Sequence, residues 1–444
     1  MKVLTVGGGA REHVIVKKLA EDGAEIYAVM GNKNPGIARL AKEYLLEAGS
    51  NIEEVVNWAV EKDVNLAVIG PEAPLGEGIV DALERNDINC ASPKKDAAKI
   101  ETSKEFMRDL MAEYELPGRV EYHTFDNIKD IEDFLTHYEG DLAVKPVGLT
   151  GGKGVKVMGE HLNSKKEVIE YCRKVLEEEI GGKPRLVLEE KLVGEEFTLQ
   201  AFTDGENIKP MPLVQDHKRL FEGDEGPNTG GMGSYSQADG LLPFLDKEIY
   251  EESIDIMKKT LKALKEDGKP YKGVLYGQFM LTSKGPKIIE YNCRWGDPEA
   301  MNVLPLLETN YVDLCEKIAE GDISDEDVSF ENKASVCKYV VPEGYGVDPD
   351  GGHLVDVDEK AIEKEGAQLF YASVDEKEGK IYTTTSRALA VVGYSKDTNK
   401  AEEASERALS HVESDKVQMR HDIGKPESIQ RKIENMKKIR GENR

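Results

Sequence analysis

Over about the first hundred residues, short apolar runs alternate with amphipathic stretches, and this alternation restricts the fold to a parallel sheet covered by helices on both faces. The runs over 3–6, 26–30, 66–69 and 88–90 read as strands, and 11–20, 52–61 and 79–85 read as helices. The first three of these strands end in turn chemistry: Gly7-Gly8-Gly9, Gly31-Asn32 and Gly70-Pro71. Ligands of such sheets bind at the carboxyl ends of the strands, so the sequence already points to one edge of this domain.

From Ser103 the texture changes. A helix over 103–111 leads through Leu116-Pro117-Gly118 to a strand over 142–145, a glycine-rich turn, a strand over 155–158, a helix over 164–179 and a strand over 186–189. This pattern predicts a small α+β lobe. A second lobe, from 190 to about 321, contains the paired strands 276–281 and 287–291. Strands over 336–341, 368–374 and 387–394 and a helix over 400–412 predict a further small α+β domain, and the highly charged stretch 429–444 reads as a loose helical tail. A length of 444 residues fits about three domains. The boundaries expected are 1–102, 103–330 (lobes about 118–190 and about 191–330) and 331–435.

Composition limits the partners. Fifty-nine Lys and Arg against 85 Asp and Glu leave a formal charge of −26, which repels phosphate backbones and anionic lipid; neither nucleic acid nor membrane is expected as a partner. The five cysteines have no C-x-x-C spacing and no clustering with histidine, arguing against a disulfide framework or a zinc site and for a reducing compartment. The apolar run in MKVLTVGGGA is too short for a signal peptide, and no run approaches membrane-spanning length, so a cytoplasmic enzyme is expected.

Several segments carry chemistry. Gly7-Gly8-Gly9-Ala10-Arg11-Glu12-His13 closes a strand and opens a helix, a place where backbone N–H groups and the helix dipole suit a phosphate. A purely structural turn is the alternative. It is not a dinucleotide fingerprint, because Glu12 stands where glycine is needed. His13 is expected to pack or cap rather than catalyse. Gly70-Pro71-Glu72-Ala73-Pro74-Leu75 is a second wall for the same edge. Lys145, at the end of a buried-looking strand, precedes Gly148-Leu-Thr-Gly151-Gly152-Lys153-Gly154; this glycine-rich hairpin is not a Walker loop but suits a flap closing over a triphosphate. In Leu186-Val-Leu-Glu189-Glu190-Lys191-Leu192-Val193-Gly194-Glu195-Glu196 a strand crosses to another, leaving backbone groups for a nucleobase and an acid for a ribose, although a charged surface strand looks similar. Glu290 and Asn292, two apart on one strand, share a face with Gln278 from the preceding strand, hard oxygen donors of the kind magnesium or manganese takes. Arg294 follows closely enough to neutralise a transferring phosphoryl group. Gln215-Asp216-His217-Lys218-Arg219 and Gly226-Pro-Asn-Thr-Gly230-Gly231-Met232-Gly233 suit a zwitterion and an anion, or are plain surface loops.

Together these segments resemble the ATP-grasp superfamily and, within it, the phosphoribosylamine–glycine ligase (glycinamide ribonucleotide synthetase) family. The resemblance runs from Met1 to about Gly424 through GGGAREH, GPEAPL, GLTGGKG, LEEKLVGEEF, QDHKR, GPNTGGMGSYS, IIEYNCRWGDPE and Arg420-His421-Asp422-Ile423-Gly424. It implies an α/β and α+β multidomain chain: a Rossmann-like substrate domain, a two-lobed ATP-grasp core and a small C-terminal α+β domain. By resemblance, Lys104 and Lys145 contact the ATP phosphates under a flap containing Gly151, Gly152 and Lys153. Glu189, Glu190, Lys191 and Leu192 frame the adenine and Glu196 holds the ribose. Glu290 and Asn292 match the family's ligands for two Mg2+ or Mn2+ ions, and Gln278 matches the broader superfamily pattern. Gly8, Gly9, Ala10, Arg11, Glu12, Pro71, Glu72 and Ala73 are placed around 5-phosphoribosylamine, with Ala10 replacing a glycine of the family's opening. Asp216 and Arg294 are placed on glycine and its phosphorylated form, and Gly231, Met232, Gly233 and Asp297 complete the substrate set. Arg294, Lys145 and Asp216 are the expected catalytic residues. The implied reaction, a step of de novo purine biosynthesis, forms glycyl phosphate and ADP, then passes the glycyl group to the amine of phosphoribosylamine. Another ATP-grasp carboxylate–amine ligase or carboxylase, and a nucleotide-binding protein without turnover, are the rival expectations. The small molecules are the only partners expected, on a monomer or a dimer.

Overall fold

The N-terminal alternation resolves into a five-stranded all-parallel sheet in the spatial order Glu43–Leu46, Glu25–Met30, Lys2–Val6, Leu66–Ile69, Asn89–Cys90. The computed structural model describes residues 1–150 and 154–441. The strand order reverses between Lys2–Val6 and Leu66–Ile69, and the turns Gly7–Gly9 and Gly70–Pro71 leave the sheet at that switch point. The edge strand Glu43–Leu46 escaped the sequence reading. Glu43, Tyr44 and Leu46 are exposed, so it lacks the apolar run that marks its buried neighbours.

The small lobe is a four-stranded antiparallel sheet in the order Tyr122–Phe125, Leu186–Glu190, Leu142–Pro146, Lys156–Val157. Helices Ile128–His137 and Lys165–Glu177 cover it, each opened by an N-cap side chain, Asn127 and Ser164. Ile131, Leu135, Val144, Val168, Cys172 and Leu188 bury a core of its own. The large lobe pairs Gly194–Thr203, Gly273–Thr282 and Gly285–Asn292 as antiparallel neighbours, backed by Ile256, Met257, Leu261 and Leu264 of helix Lys247–Glu266.

Two segments that the sequence left open between substrate loops and surface loops are strands. Gln215–Asp216 and Gly233–Ser236 join Ala334–Pro342, Leu389–Ser395 and Ala367–Tyr371 in one sheet, so the large lobe and the C-terminal domain share backbone hydrogen bonds. Gly233 sits at φ 150°, and a Cβ there would lie 2.2 Å from the Cys337 carbonyl oxygen, so only glycine allows that approach. The predicted strand 368–374 breaks into Ala367–Tyr371 and Val374–Lys377, the second belonging to a separate sheet.

The carboxyl-terminal stretch is helical but not loose. Pro426–Arg440 buries Ile429 and Met436, and Lys432 forms ion pairs with Glu195 and Asp224. Its apolar positions are too few to announce burial in a sequence dominated by charge. All five cysteines are buried free thiols. Among the described residues no helix is long and apolar enough to cross a membrane.

The two ends of the chain are locked together near the switch point. His13 is buried, its Nδ1 accepting from the Tyr371 amide at 2.9 Å, and burial pushes its pKa down to about 3, so it is a neutral packing residue. Fully buried Asn34 accepts from the Gly36 and Ile37 amides and donates to the carbonyls of Gly8 and Tyr371 at 3.0 and 2.7 Å. Replacing it with alanine removes a helix cap and orphans buried carbonyls. Asn34→Ala is therefore expected to lower stability by about 3 kcal/mol, read as an earlier urea midpoint; an unchanged midpoint would show that this contact does not hold the domains.

Candidate functional site

A buried ionic cluster joins the two lobes. Arg108, on the helix Lys104–Glu113 capped by Ser103, is 1% exposed and grips Glu189 with two bonds, Nε at 2.8 Å and Nη2 at 2.9 Å. Its remaining donors reach the carbonyls of Ile288 at 3.0 Å and Ile289 at 2.8 Å in the large lobe. Lys145, ending the small-lobe strand Leu142–Pro146, pairs with Glu189 at 2.7 Å and donates to the Ile289 carbonyl at 3.3 Å. A register shift opposite Gln278 and Phe279 leaves Ile289 unpaired in its ladder, and this bulge turns that carbonyl toward both cations. Burial alone would raise the pKa of Glu189, but Arg108 and Lys145 outweigh it and hold the carboxyl at about 2. Its carboxylate is thus fully engaged. The amides of Glu190 and Lys191 are also taken, by the carbonyls of Glu121 and Asp141 at 3.0 and 2.9 Å, and half-buried Leu192 begins the crossing to Gly194–Thr203.

The next residue, Glu290, is the odd member of this region. It faces Asn292 along the strand Gly285–Asn292, yet its carboxylate has no hydrogen bond or ion pair among the described residues. Burial would push its pKa up; Lys218, Lys104, Lys145 and Arg294 overcome that and keep it below the usual carboxylate range. A carboxylate held ionised by surrounding cations but bonded to none is a ready oxygen ligand, and Asn292 adds an amide oxygen two residues on. Gln278 is arranged differently from the expectation. Its Nε2 donates to Glu196 at 2.9 Å and Asp216 at 3.4 Å, while its Oε1 accepts from the Thr198 and Tyr276 hydroxyls. In this arrangement it holds carboxylates in place and presents no free oxygen to a cation.

The glycine-rich hairpin is tethered at both ends: Lys104 donates to the Gly148 carbonyl at 2.9 Å and the Tyr171 hydroxyl to the Gly154 carbonyl at 2.8 Å. Gly151, Gly152 and Lys153 lie outside the described residues. Burial lowers the pKa of Lys104. On the large-lobe wall Lys218 pairs with Glu196 at 2.9 Å and lies 3.8 Å from Asp216, whose own pKa burial raises. Glu299, bonded to Thr198 and Tyr276, is lifted by burial and by Asp216 to about 7.

The switch-point side meets the same wall. Glu12 closes the turn, accepting from the Gly9 amide at 2.7 Å and Arg11 Nε at 2.6 Å. A Cβ on Gly70 would lie 2.1 Å from its Oε1, so the two glycine turns close around one carboxylate. Ala10 is buried in the first helical turn, and Pro71, Glu72 and Ala73 open the helix Glu72–Glu77 beside it. Arg294 Nη2 bonds Glu101 at 2.9 Å and Asn292 at 3.1 Å, and its Nε lies 3.6 Å from Glu72, so it links the strand Gly285–Asn292 to the N-terminal domain. Asp297 accepts from Tyr339 at 2.5 Å and Arg387 at 2.8 Å, and Arg387 also holds the Gly230 and Gly231 carbonyls. Met232 is fully buried with its amide bonded to His217 and its carbonyl to Tyr339, and Gly233 sits in the sheet behind it. These two shape the loop from inside rather than lining the cleft, contrary to the expectation for them.

Arg108, Glu101 and Arg387 were not anticipated. Arg108 falls on the buried stripe of its helix beside Met107 and Met111, and Glu101 lies one turn from Ala97 and Ala98; a charge on an apolar stripe is the signal that was there to find. Arg387 precedes a strand in an irregular segment and carries no such mark.

A two-lobed cleft with lysines on one side and a carboxylate–amide hairpin on the other, behind a parallel-sheet domain, is the architecture of the ATP-grasp ligases, a class that uses ATP with Mg2+ or Mn2+. Residues 1–101, 102–300 and 335–426 match the N, ATP-grasp (A) and C domains of phosphoribosylglycinamide synthetase. The chain belongs to the phosphoribosylglycinamide synthetase family. It is 51% identical over 440 residues to a phosphoribosylamine–glycine ligase of Methanothermobacter thermautotrophicus, covering 99% of this chain and all of that one. It is 50% identical over 449 residues to one from Methanopyrus kandleri, covering all of both chains. The crystal structure of phosphoribosylamine–glycine ligase from Thermotoga maritima superposes with a TM-score of 0.81 at 28% identity, over 95% of this chain and 100% of that one. A biotin carboxylase–ATP complex from Campylobacter jejuni shares the fold, with a TM-score of 0.73 at 14% identity over 100% and 96% of the two chains.

The Glu189 cluster fixes an acid limb of stability. With a folded value near 2 against an ordinary 4.5, the group stabilises the fold above about 4.5, and that contribution, on the order of 3 kcal/mol, is lost as pH falls toward 2. Arg108→Met removes the stronger cation, costs about 3–5 kcal/mol at neutral pH and moves the acid limb upward, as measured by urea unfolding across the acid range. A limb unchanged in position would contradict the assignment.

Proposed function

We propose that this protein ligates glycine to 5-phosphoribosylamine at the expense of ATP, giving glycinamide ribonucleotide, ADP and phosphate, a step of de novo purine biosynthesis in the cytoplasm. The observation that carries this reading is the Glu290 carboxylate, without a bonded partner among the described residues and held ionised among Lys104, Lys145, Lys218 and Arg294, in a chain half identical over its length to enzymes of that name.

Glycine and ATP react poorly because a carboxylate is a weak nucleophile and, until phosphorylated, a weak acylating agent. Glycine's carboxylate attacks the γ-phosphorus, a P–O bond to ADP breaks, and glycyl phosphate forms. The amine of phosphoribosylamine then attacks the acyl carbon, loses a proton and expels phosphate. No protein nucleophile is required; the chain supplies position and charge. Lys104 and Lys145 are assigned to the triphosphate, together with Gly151, Gly152 and Lys153 of the glycine-rich segment. Glu196 takes the ribose hydroxyls, and the segment Glu189 to Leu192 borders the adenine. Glu290 and Asn292 would hold two Mg2+ or Mn2+ ions, which would neutralise phosphate charge when bound. Gln278 fixes Glu196 and Asp216 in place. Asp216 receives glycine's ammonium, and Arg294, beside Asn292, draws off charge from the phosphoryl group in flight. Gly8, Gly9, Arg11 and Glu12, with Pro71 to Ala73, cradle the phosphoribosyl end, and Gly231 with Asp297, braced by Arg387, closes the opposite side. Enclosure matters because water would hydrolyse the acyl phosphate.

Glu290→Ala is expected to abolish ADP release with glycine plus phosphoribosylamine, by about a thousandfold or more, while circular dichroism and thermal unfolding stay near wild type. Chelation of the wild type has the same effect and added Mg2+ or Mn2+ reverses it. Activity near wild type in Glu290→Ala would remove the metal assignment, and stimulation by bicarbonate or D-alanine in place of glycine and phosphoribosylamine would remove the substrates.

A further inference from the structure

The C-terminal helix Pro426–Arg440 begins where the match to the family's C domain ends, at residue 426, and it packs on the far side of the strand that carries Glu196. Along Gly194–Thr203 successive side chains point to opposite faces. Glu196 points into the cleft toward Lys218 and Gln278; Glu195, 6% exposed, points the other way into the helix. There its two oxygens are both taken, one by Asn435 Nδ2 at 2.6 Å and the other by Lys432 Nζ at 3.3 Å.

Lys432 has a second partner, Asp224, at 2.8 Å. Asp224 sits in the turn of the hairpin formed by Arg219–Phe221 and Glu225–Asn228, which starts one residue after Lys218. The same hairpin is braced by Arg420, whose guanidinium bonds Asp224 at 2.9 Å, and it reaches the small lobe through Arg219 and Glu160 at 2.5 Å. One ammonium therefore ties together the two segments whose cleft-facing members are Glu196 and Lys218. A helix that merely covered apolar surface would not need to place its cation between these two acids.

We infer that this helix is a positioning element for the nucleotide end of the cleft, with Lys432 acting as the positioning residue that sets the Glu196–Lys218 pair from behind. Its larger effect falls on ATP, because the helix acts directly on the strand that carries Glu196, while Asp216, 3.8 Å from Lys218, passes a smaller one to glycine. The inference rests on the proposed role of Glu196 at the ribose.

The test uses the full-length enzyme with steady-state kinetics in each substrate. Lys432→Met is expected to raise KM for ATP about tenfold, with kcat within about twofold of wild type and KM for glycine raised by no more than about threefold. Lys432→Arg, which keeps the charge and can reach both acids, restores most of the difference. Because Lys432→Met leaves a buried carboxylate unpaired, the double variant Glu195→Gln/Lys432→Met is measured in parallel. It releases Asp224 without stranding a charge and is expected to show the same selective rise in KM for ATP. Glu196→Gln serves as the control for the ribose role. If Glu196→Gln raises KM for ATP and both Lys432 variants leave it unchanged, the inference is overturned and the ribose role stands. If Glu196→Gln also leaves it unchanged, the ribose role fails and takes the inference with it. If the double variant loses kcat and thermal stability together, with KM for all substrates moving alike, the helix is a structural brace only and the inference is overturned.

Discussion

The salt-bridged trio Arg108, Glu189 and Lys145 is the interaction on which the rest of the molecule depends. It is buried, it uses both oxygens of one carboxylate, and the two cations extend on to the backbone of the opposite lobe at Ile288 and Ile289. Buried ion pairs seldom add much net stability, because desolvation offsets most of the attraction. What they impose is geometry. An arginine fork engaged by one carboxylate and two carbonyls has few alternative arrangements, so small lobe and hairpin meet in one register. The bulge at Ile289 is what makes that meeting possible, and Glu290 is aimed into the cleft as its direct consequence.

A chain of formal charge −26 nonetheless gathers positive charge in its cleft. Net charge governs solubility and long-range encounter, whereas a cleft responds to charges within a few ångströms. Here Lys104, Lys145, Lys218 and Arg294 converge on Glu290, and their combined field outweighs the burial penalty on its carboxylate. Around Asp216 the balance tips the other way. Asp216 and Glu299 stand close with fewer cations, and burial raises both. One end of the cleft is thus rich in cations and the other in carboxylates.

How much of this was legible beforehand follows from the kind of signal each element leaves. The strands of the N-terminal sheet other than Glu43–Leu46 announce themselves because burial on both faces demands continuous apolar runs. The Glu290–Asn292 pair was visible because a period of two is unambiguous on a strand. The shared sheet was not, since Gln215–Asp216 and Gly233–Ser236 are short, polar and glycine-bearing, and become strands only because Ala334–Pro342 offers them a partner far along the chain. Gln278 was placed on the correct strand, but which way its amide turns depends on Thr198 and Tyr276, contacts no local pattern encodes. Likewise the charge-rich Pro426–Arg440 looks solvated until Glu195 and Asp224 are found waiting for Lys432.

A crystal structure of the protein with a nonhydrolysable ATP analogue and magnesium addresses the central claim most directly. The account predicts phosphates lying between Lys145 and the Glu290–Asn292 strand, with metal density on the Glu290 carboxylate and the Arg108–Glu189 fork unchanged. Nucleotide bound elsewhere, or phosphates in the cleft with Glu290 turned away from the metal, would contradict it.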